Sequence, residues 1–192
     1  MPKIALALVL VVATLLADAP GSALSTGMVL EYAVGDSARL PYKVISVTDT
    51  MIGGIEACRS MVIKTGGSEW YDRRSWCASG DMFLEWDSVS HALRPVRPVG
   101  EGMSLEARGN PGERLRYDTR SLLDQTVDGR HFQVIETVTI TRDSAGRQSQ
   151  RRREFFAPAL ALPTSGVIEA PDSTRPGSWR IQSAYKLVRI TP

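Results

Sequence analysis

The chain has 192 residues, of which 43% are hydrophobic, with 23 basic against 21 acidic side chains and two cysteines, for a formal net charge of +2. A balance that close to neutral gives no footing for a nucleic-acid partner or for a strongly acidic one. The length suits one domain, or two small halves that share a core.

The first segment reads as an address. Lys3 supplies a short positive start, and Ile4 to Leu16 form an uncharged, almost wholly apolar run. That run is shorter than the ~20 residues of a bilayer-spanning helix and suits the core of a signal peptide. Ala17-Asp18-Ala19 would leave Pro20 first in the processed chain, where its ring obstructs cleavage. Gly21-Ser22-Ala23 leaves Leu24 first, with Pro20 placed to end the apolar helix. The expectation is a signal peptide over residues 1–23 and a periplasmic or secreted protein that does not span a membrane once it is cut.

The rest is organised around a stretch that occurs twice. Residues 27–54 and 102–129, laid over each other at an offset of 75 without a gap, share ten identities in 28 positions. Unrelated sequence would share roughly two. The shared residues include Leu30/Leu105, Glu31/Glu106, Arg39/Arg114, Leu40/Leu115, Tyr42/Tyr117 and Gly54/Gly129. An internal duplication follows, with a first β repeat over 24–101 and a second over 102–192, the two sharing one core.

Period-two alternation with frequent turn residues predicts strands throughout. In chain order they are Arg39 to Val47, Ile55 to Lys64, Trp70 to Cys77, Met82 to Trp86, Met103 to Arg108, Glu113 to Thr119, Phe132 to Arg142, Gln148 to Phe156 and Trp179 to Ile190. Gly53-Gly54, Gly66-Gly67, Ser79-Gly80-Asp81, Asn110-Pro111-Gly112, Asp128-Gly129 and Asp143 to Gly146 supply the turns. Ser121 to Gln125 is the one place for a helical turn. The fold class is all-β and antiparallel, a curved sheet or half-barrel built from the two repeats.

Within the second repeat, Phe132, Val134, Val138 and Ile140 share one face of a strand, interrupted by Glu136, and His131, Gln133, Thr137, Thr139 and Thr141 share the other. That alternation predicts an apolar face on the core. The returning arm, Arg147 to Glu154, is polar on both faces, which predicts a sheet edge or a projecting hairpin. Arg151-Arg152-Arg153 then reads as a solvated edge that discourages strand-to-strand aggregation, with a grip on phosphate groups of a lipid or polyanion as the alternative.

Three motifs carry a resemblance: Val34-Gly35-Asp36 at a strand entrance, the D-G-x-x-F-x-V strand of Asp128, Gly129, Phe132 and Val134, and Phe156-Ala157-Pro158 before an apolar loop. Together they resemble secreted bacterial all-β proteins akin to the lipoprotein-carrier and lipoprotein-receptor half-barrels. The resemblance implies a curved antiparallel sheet and an extracytoplasmic setting, and it carries no catalytic residue over.

Cys58 and Cys77 fall on neighbouring arms of a hairpin. Directly opposite each other, they set Thr65 opposite Trp70 around the turn-rich residues 66–69. Export to an oxidising compartment makes them a structural disulfide. His91 and His131 have neither a nucleophile elbow nor metal-ligand spacing around them. Ser183-Ala184-Tyr185-Lys186 matches S-x-x-K, a motif that needs a helix to align its two side chains, but it lies in an expected strand. No motif implies a cofactor or a metal. Trp70, Trp76, Trp86, Trp179, Tyr71, Phe83, Phe155 and Phe156 read as core before they read as a groove.

The candidate ligand-lining residues are Leu40, Tyr42, Leu115 and Tyr117. They are repeated in both copies without being needed for turns, and strand alternation puts each Leu with its Tyr on one face and Arg39 and Arg114 on the other. They should line an apolar seam between the copies, with tyrosine hydroxyls at its rim. The function expected is extracytoplasmic binding of an apolar ligand such as a lipid, or of another envelope protein. A carboxylate-based hydrolase or isomerase and a structural role in the envelope are the alternatives.

Overall fold

The computed structural model describes residues 21–69, 71–108 and 112–192. The expected signal segment up to residue 20, Trp70 and the turn residues 109–111 lie outside them.

Among the described residues the chain forms twelve strands in one antiparallel sheet, ordered β6-β5-β4-β3-β2-β1-β12-β11-β10-β9-β8-β7. The first six are β1 (Val29–Val34), β2 (Ala38–Ile52), β3 (Ile55–Thr65), β4 (Tyr71–Ser79), β5 (Met82–Asp87) and β6 (Ala92–Pro98). The second six are β7 (Ser104–Arg108), β8 (Arg114–Val127), β9 (Arg130–Arg142), β10 (Gln148–Ala157), β11 (Leu162–Pro171) and β12 (Trp179–Thr191). The path starts in mid-sheet, meanders outward to the β6 edge, crosses to the other edge at β7, and meanders back until β12 pairs with β1. The sheet is strongly curved and nearly closed, with its two edges meeting around residues 99–103. There Val99 N–H donates to Asp81 (2.8 Å), and the Thr119 hydroxyl donates to the Gly100 carbonyl (2.5 Å).

The two repeated stretches take the same local pairing. Leu30 lies opposite Tyr42 in β1–β2, and Leu105 lies opposite Tyr117 in β7–β8. Equivalent turns close β2–β3 at Ile52/Ile55 and β8–β9 at Val127/Arg130. Each long strand carries a bulge at the matching point, between Val44 and Ser46 in one and between Thr119 and Leu122 in the other. The bulge accounts for Ser121 to Gln125: the extra residue bends the hairpin without leaving the strand, so the expected helical turn is absent. Beyond the bend the hairpin reaches β12, where Asp128 accepts a hydrogen bond from the Ile190 N–H (2.9 Å).

One end of the interior is occupied by Met61, Trp76, Phe83, Val134, Ile135, Phe156 and Leu160, all buried. Phe83 and Phe156 meet edge to face across it, their centroids 5.5 Å apart. Gly21 to Leu24 are docked against the same end. The Ala23 N–H donates to the Ala159 carbonyl (2.8 Å), Arg59 donates to the Gly21 carbonyl (2.8 Å), and Leu24 is buried. Cys58 and Cys77 are cross-strand partners in β3–β4 at disulfide distance, in the register the sequence predicts, with Lys64 opposite Tyr71.

The returning arm is a correction. β10 is interior to the sheet, between β9 and β11, and is neither an edge nor a projection. Its polarity on both faces has a different cause, which is that the concave side of the sheet is itself polar at this end.

Candidate functional site

β10 sends successive side chains to opposite faces. On the convex face, Arg151 pairs with Glu169 (2.7 Å) and Arg153 with Glu136 (2.7 Å), while Arg120 stands 3.8 Å from Glu136. Val138 and Ile140 lie opposite Arg153 and Arg151 and so share that face, beneath the arginine stems. The threonine face of β9 turns inward here: Thr137 lies opposite Glu154 and Thr139 opposite Arg152. The β9 alternation therefore meets the apolar core as expected only at Phe132 and Val134.

Glu154 is the centre of the concave side and is 2% exposed. Arg97, on β6, reaches across the interior to its Oε2 (3.0 Å), and the Tyr185 hydroxyl, on β12, donates to its Oε1. Arg97 also lies over the Phe156 ring, 4.3 Å from its centroid. A buried carboxylate is costly unless its charge is matched and its lone pairs are filled. These two partners do both.

The reach of Tyr185 depends on a glycine. Glu154, Gly166 and Tyr185 stand side by side across β10, β11 and β12. A Cβ at Gly166 would lie 2.6 Å from the Tyr185 hydroxyl oxygen and 3.1 Å from Glu154 Cγ. The bare backbone is what lets the ring lie over the intervening strand.

Above this cluster is a cavity of about 420 Å³, walled by Tyr32, Val34, Leu40, Tyr42, Leu162 and Pro163 and floored by Glu154, Tyr185, Arg97 and Arg152. Tyr32 packs edge to face on Tyr42 and on Tyr185, with centroids 5.2 Å and 6.2 Å away. Its hydroxyl donates to the Pro163 carbonyl (2.7 Å), tying β1 to β11. Burial first, and then the neighbouring Tyr42 and Glu154, pushes the Tyr32 hydroxyl well above the usual tyrosine range. Burial and Glu154 do the same to Tyr185, so both hydroxyls stay protonated as donors. Burial also raises Tyr117 and Glu85 in an adjoining pocket, which shares Arg74, Arg97, Leu162 and Pro163 with the cavity.

Of the four residues proposed from the repeat, Leu40 and Tyr42 line the cavity together. Tyr117 lines the adjoining pocket, and Leu115 a third that shares only Arg152 with the cavity. Arg39 and Arg114 are exposed. Sequence reasoning missed Glu154, Arg97, Tyr185, Tyr32 and Gly166. The legible signal was Gly166, a glycine inside a strand, which marks a close approach. Among the other candidates, Ser183 lines the cavity and Lys186 lies on the convex face, so S-x-x-K is split. His91 sits in a turn beside Trp86, and His131 contacts Thr126 (3.1 Å) at the surface. Trp76, Phe83 and Phe156 are core, whereas Phe155 and Trp179 stack with Arg153 and Arg151.

Fold and site together define a nearly closed antiparallel sheet that holds a ligand-sized pocket around a buried ion pair. Comparison with models of known protein families, with curated proteins and with solved structures found no match.

Proposed function

We propose that the protein binds, without transforming it, a small molecule whose apolar body enters the cavity between the tyrosines and Leu40. The observation that carries this is the contrast inside one sheet: one end is filled by buried apolar side chains and leaves only about 200 Å³ beside Trp76, Phe83 and Phe156, while the other keeps about 420 Å³ behind aromatic and aliphatic walls. That volume is within the range of small-molecule sites. Against the carboxylate-hydrolase alternative, Glu154 is the one carboxylate among the described residues lining the cavity, and that chemistry uses a facing pair.

We place this activity outside the cytoplasm, periplasmic or secreted. The disulfide-distance pair Cys58–Cys77 supports that setting, as does the apolar start of the chain. Among the described residues no helix is long and apolar enough to cross a membrane. The matched registers of β1–β2 and β7–β8 support reading the chain as two β repeats around one core.

Displacement of an environment-sensitive apolar fluorophore, together with a native mass spectrum of gently purified protein, tests the reading. One fluorophore bound per chain, or a co-purifying small molecule, is expected. No uptake, with an envelope protein captured instead, would turn the assignment to a protein partner.

A further inference from the structure

Five buried side-chain polar atoms have no hydrogen-bond partner among the described residues: Arg59 Nε, Arg97 Nη1, Thr137 Oγ1, Thr139 Oγ1 and Arg152 Nε. Arg59 Nε is compensated by charge, 2.7 Å from the Asp49 carboxylate. The other four gather at one place. Arg97 is ion-paired to Glu154, Thr137 is the cross-strand neighbour of Glu154, and Thr139 is that of Arg152. Two of them, Arg97 Nη1 and Arg152 Nε, can only donate, while the threonine hydroxyls can donate or accept, and both oxygens of the one carboxylate among them already accept from Tyr185 and Arg97. Two buried guanidinium N–H groups are thus left without an acceptor.

The charges around the cavity point the same way. Three arginines and one glutamate line it. Arg74 is matched by Asp72 at 2.7 Å, and Arg97 by Glu154 at 3.0 Å. Arg152 has only a share in Glu154, 3.8 Å away, and its side chain is 42% exposed. One positive charge is thus left uncompensated in a wall that is otherwise aromatic and aliphatic. A bare cation beside low-dielectric walls attracts an anion more strongly than one in open solvent, and a guanidinium matches a carboxylate or phosphate oxygen pair.

We propose that the ligand is a single-chain amphiphile with an anionic head, the head held at Arg152 and the chain lying against Tyr32, Leu40 and Tyr42. This deepens the binding function proposed above and rests on it. At about 30 Å³ for each water-sized group, the cavity takes about fourteen non-hydrogen atoms, which fits a medium-length chain and not a two-chain lipid. A cationic head would meet Arg97 and Arg152, and a neutral head would leave Arg152 unmatched.

Calorimetric titration of the full chain at low salt with four ten-carbon probes tests this: decanoate, decyl phosphate, decanol and decylammonium. The anionic probes should bind about tenfold or more tightly than decanol, as charge-assisted hydrogen bonds imply, and decylammonium weakest of all. The order of decanoate and decyl phosphate tells a carboxylate source from a phosphate one. Arg152→Gln should erase the difference between the anions and decanol; because Arg152 is part-exposed, circular dichroism of the variant should match wild type. Equal binding of anions and decanol by the wild-type protein overturns the anionic head and leaves the apolar cavity standing. No binding by any probe overturns both. A preference for anions that survives in Arg152→Gln overturns the role of Arg152.

Discussion

The two ends of the interior solve the same problem in opposite ways. At the packed end, Phe83, Phe156, Met61, Trp76 and Leu160 take up most of the space and take their stability from area removed from water. At the cavity end, Glu154, Arg97 and Tyr185 hold three strands in place through charge and hydrogen bonds, and the space above them stays open. A buried ion pair is a weak way to gain stability compared with apolar packing. Its presence where the sheet could have been filled with leucine is what marks that end as a site. The difference teaches that the two ends should respond differently to the same kind of change.

The largest effects should come from emptying each end. Phe83→Ala should cost about 3–5 kcal/mol by lost transfer and cavity formation. Glu154→Ala should cost a similar 3–5 kcal/mol, for the different reason that it strands Arg97. Chemical denaturation of a pair of variants separates the two causes. Replacing both partners, Arg97→Met with Glu154→Leu, should restore most of the loss, whereas no second change near Phe83 should do so. A double variant as unstable as the sum of its parts would show that the ion pair is not the unit we describe.

Next is the bridge between β3 and β4. Both cysteines should be protected from alkylation until a reductant is added, and Cys58→Ala with Cys77→Ala should cost roughly 3 kcal/mol by the chain-entropy account. Thiols that label freely without reductant would contradict the pairing.

A smaller effect is expected at Gly166. Gly166→Ala puts a methyl group where the Tyr185 ring lies, and the ring cannot move aside without leaving Glu154. About 1–3 kcal/mol should be lost, as for other overpacked sites. Gly129→Ala, whose Cβ would meet nothing but which sits at φ 75° in a turn, separates steric from backbone strain.

The smallest effect is in pH dependence. Burial raises the Glu85 carboxyl above its ordinary value of 4.5, so the folded state favours the protonated form. Stability from this group is present below 4.5 and is lost as pH rises through the raised value. Glu85→Gln should flatten that decline in a pH series of denaturation midpoints; an unchanged slope would remove Glu85 as its source.

What could be read from the sequence depended on whether local chemistry agreed with its surroundings. The β3–β4 register followed from two cysteines and a run of turn residues, and the hairpin turns at Gly53-Gly54 and Asp128-Gly129 declared themselves. Three strands did not. β6 carries Pro95 and Pro98, which an edge strand tolerates, and β11 carries Pro163, Gly166 and Pro171, so both read as loop. β1 is only six residues long and was hidden beside a turn. The site was obscured by one assumption, that a strand's inward face is apolar. On that assumption Arg152 and Glu154 belonged at an edge, and Thr137 and Thr139 pointed outward. Only tertiary structure brings Arg97 to Glu154, 57 residues away, and makes their inward placement sensible.

The open end is the central claim, and filling it is the most direct test. Leu40 borders the cavity and is only partly buried. Leu40→Trp should place the larger ring in open space, so the melting temperature should hold or rise while apolar-probe binding weakens by about tenfold or more. Undiminished binding, or a loss of the 1–3 kcal/mol that overpacking costs in a filled core, would contradict a ligand-holding cavity at this end of the sheet.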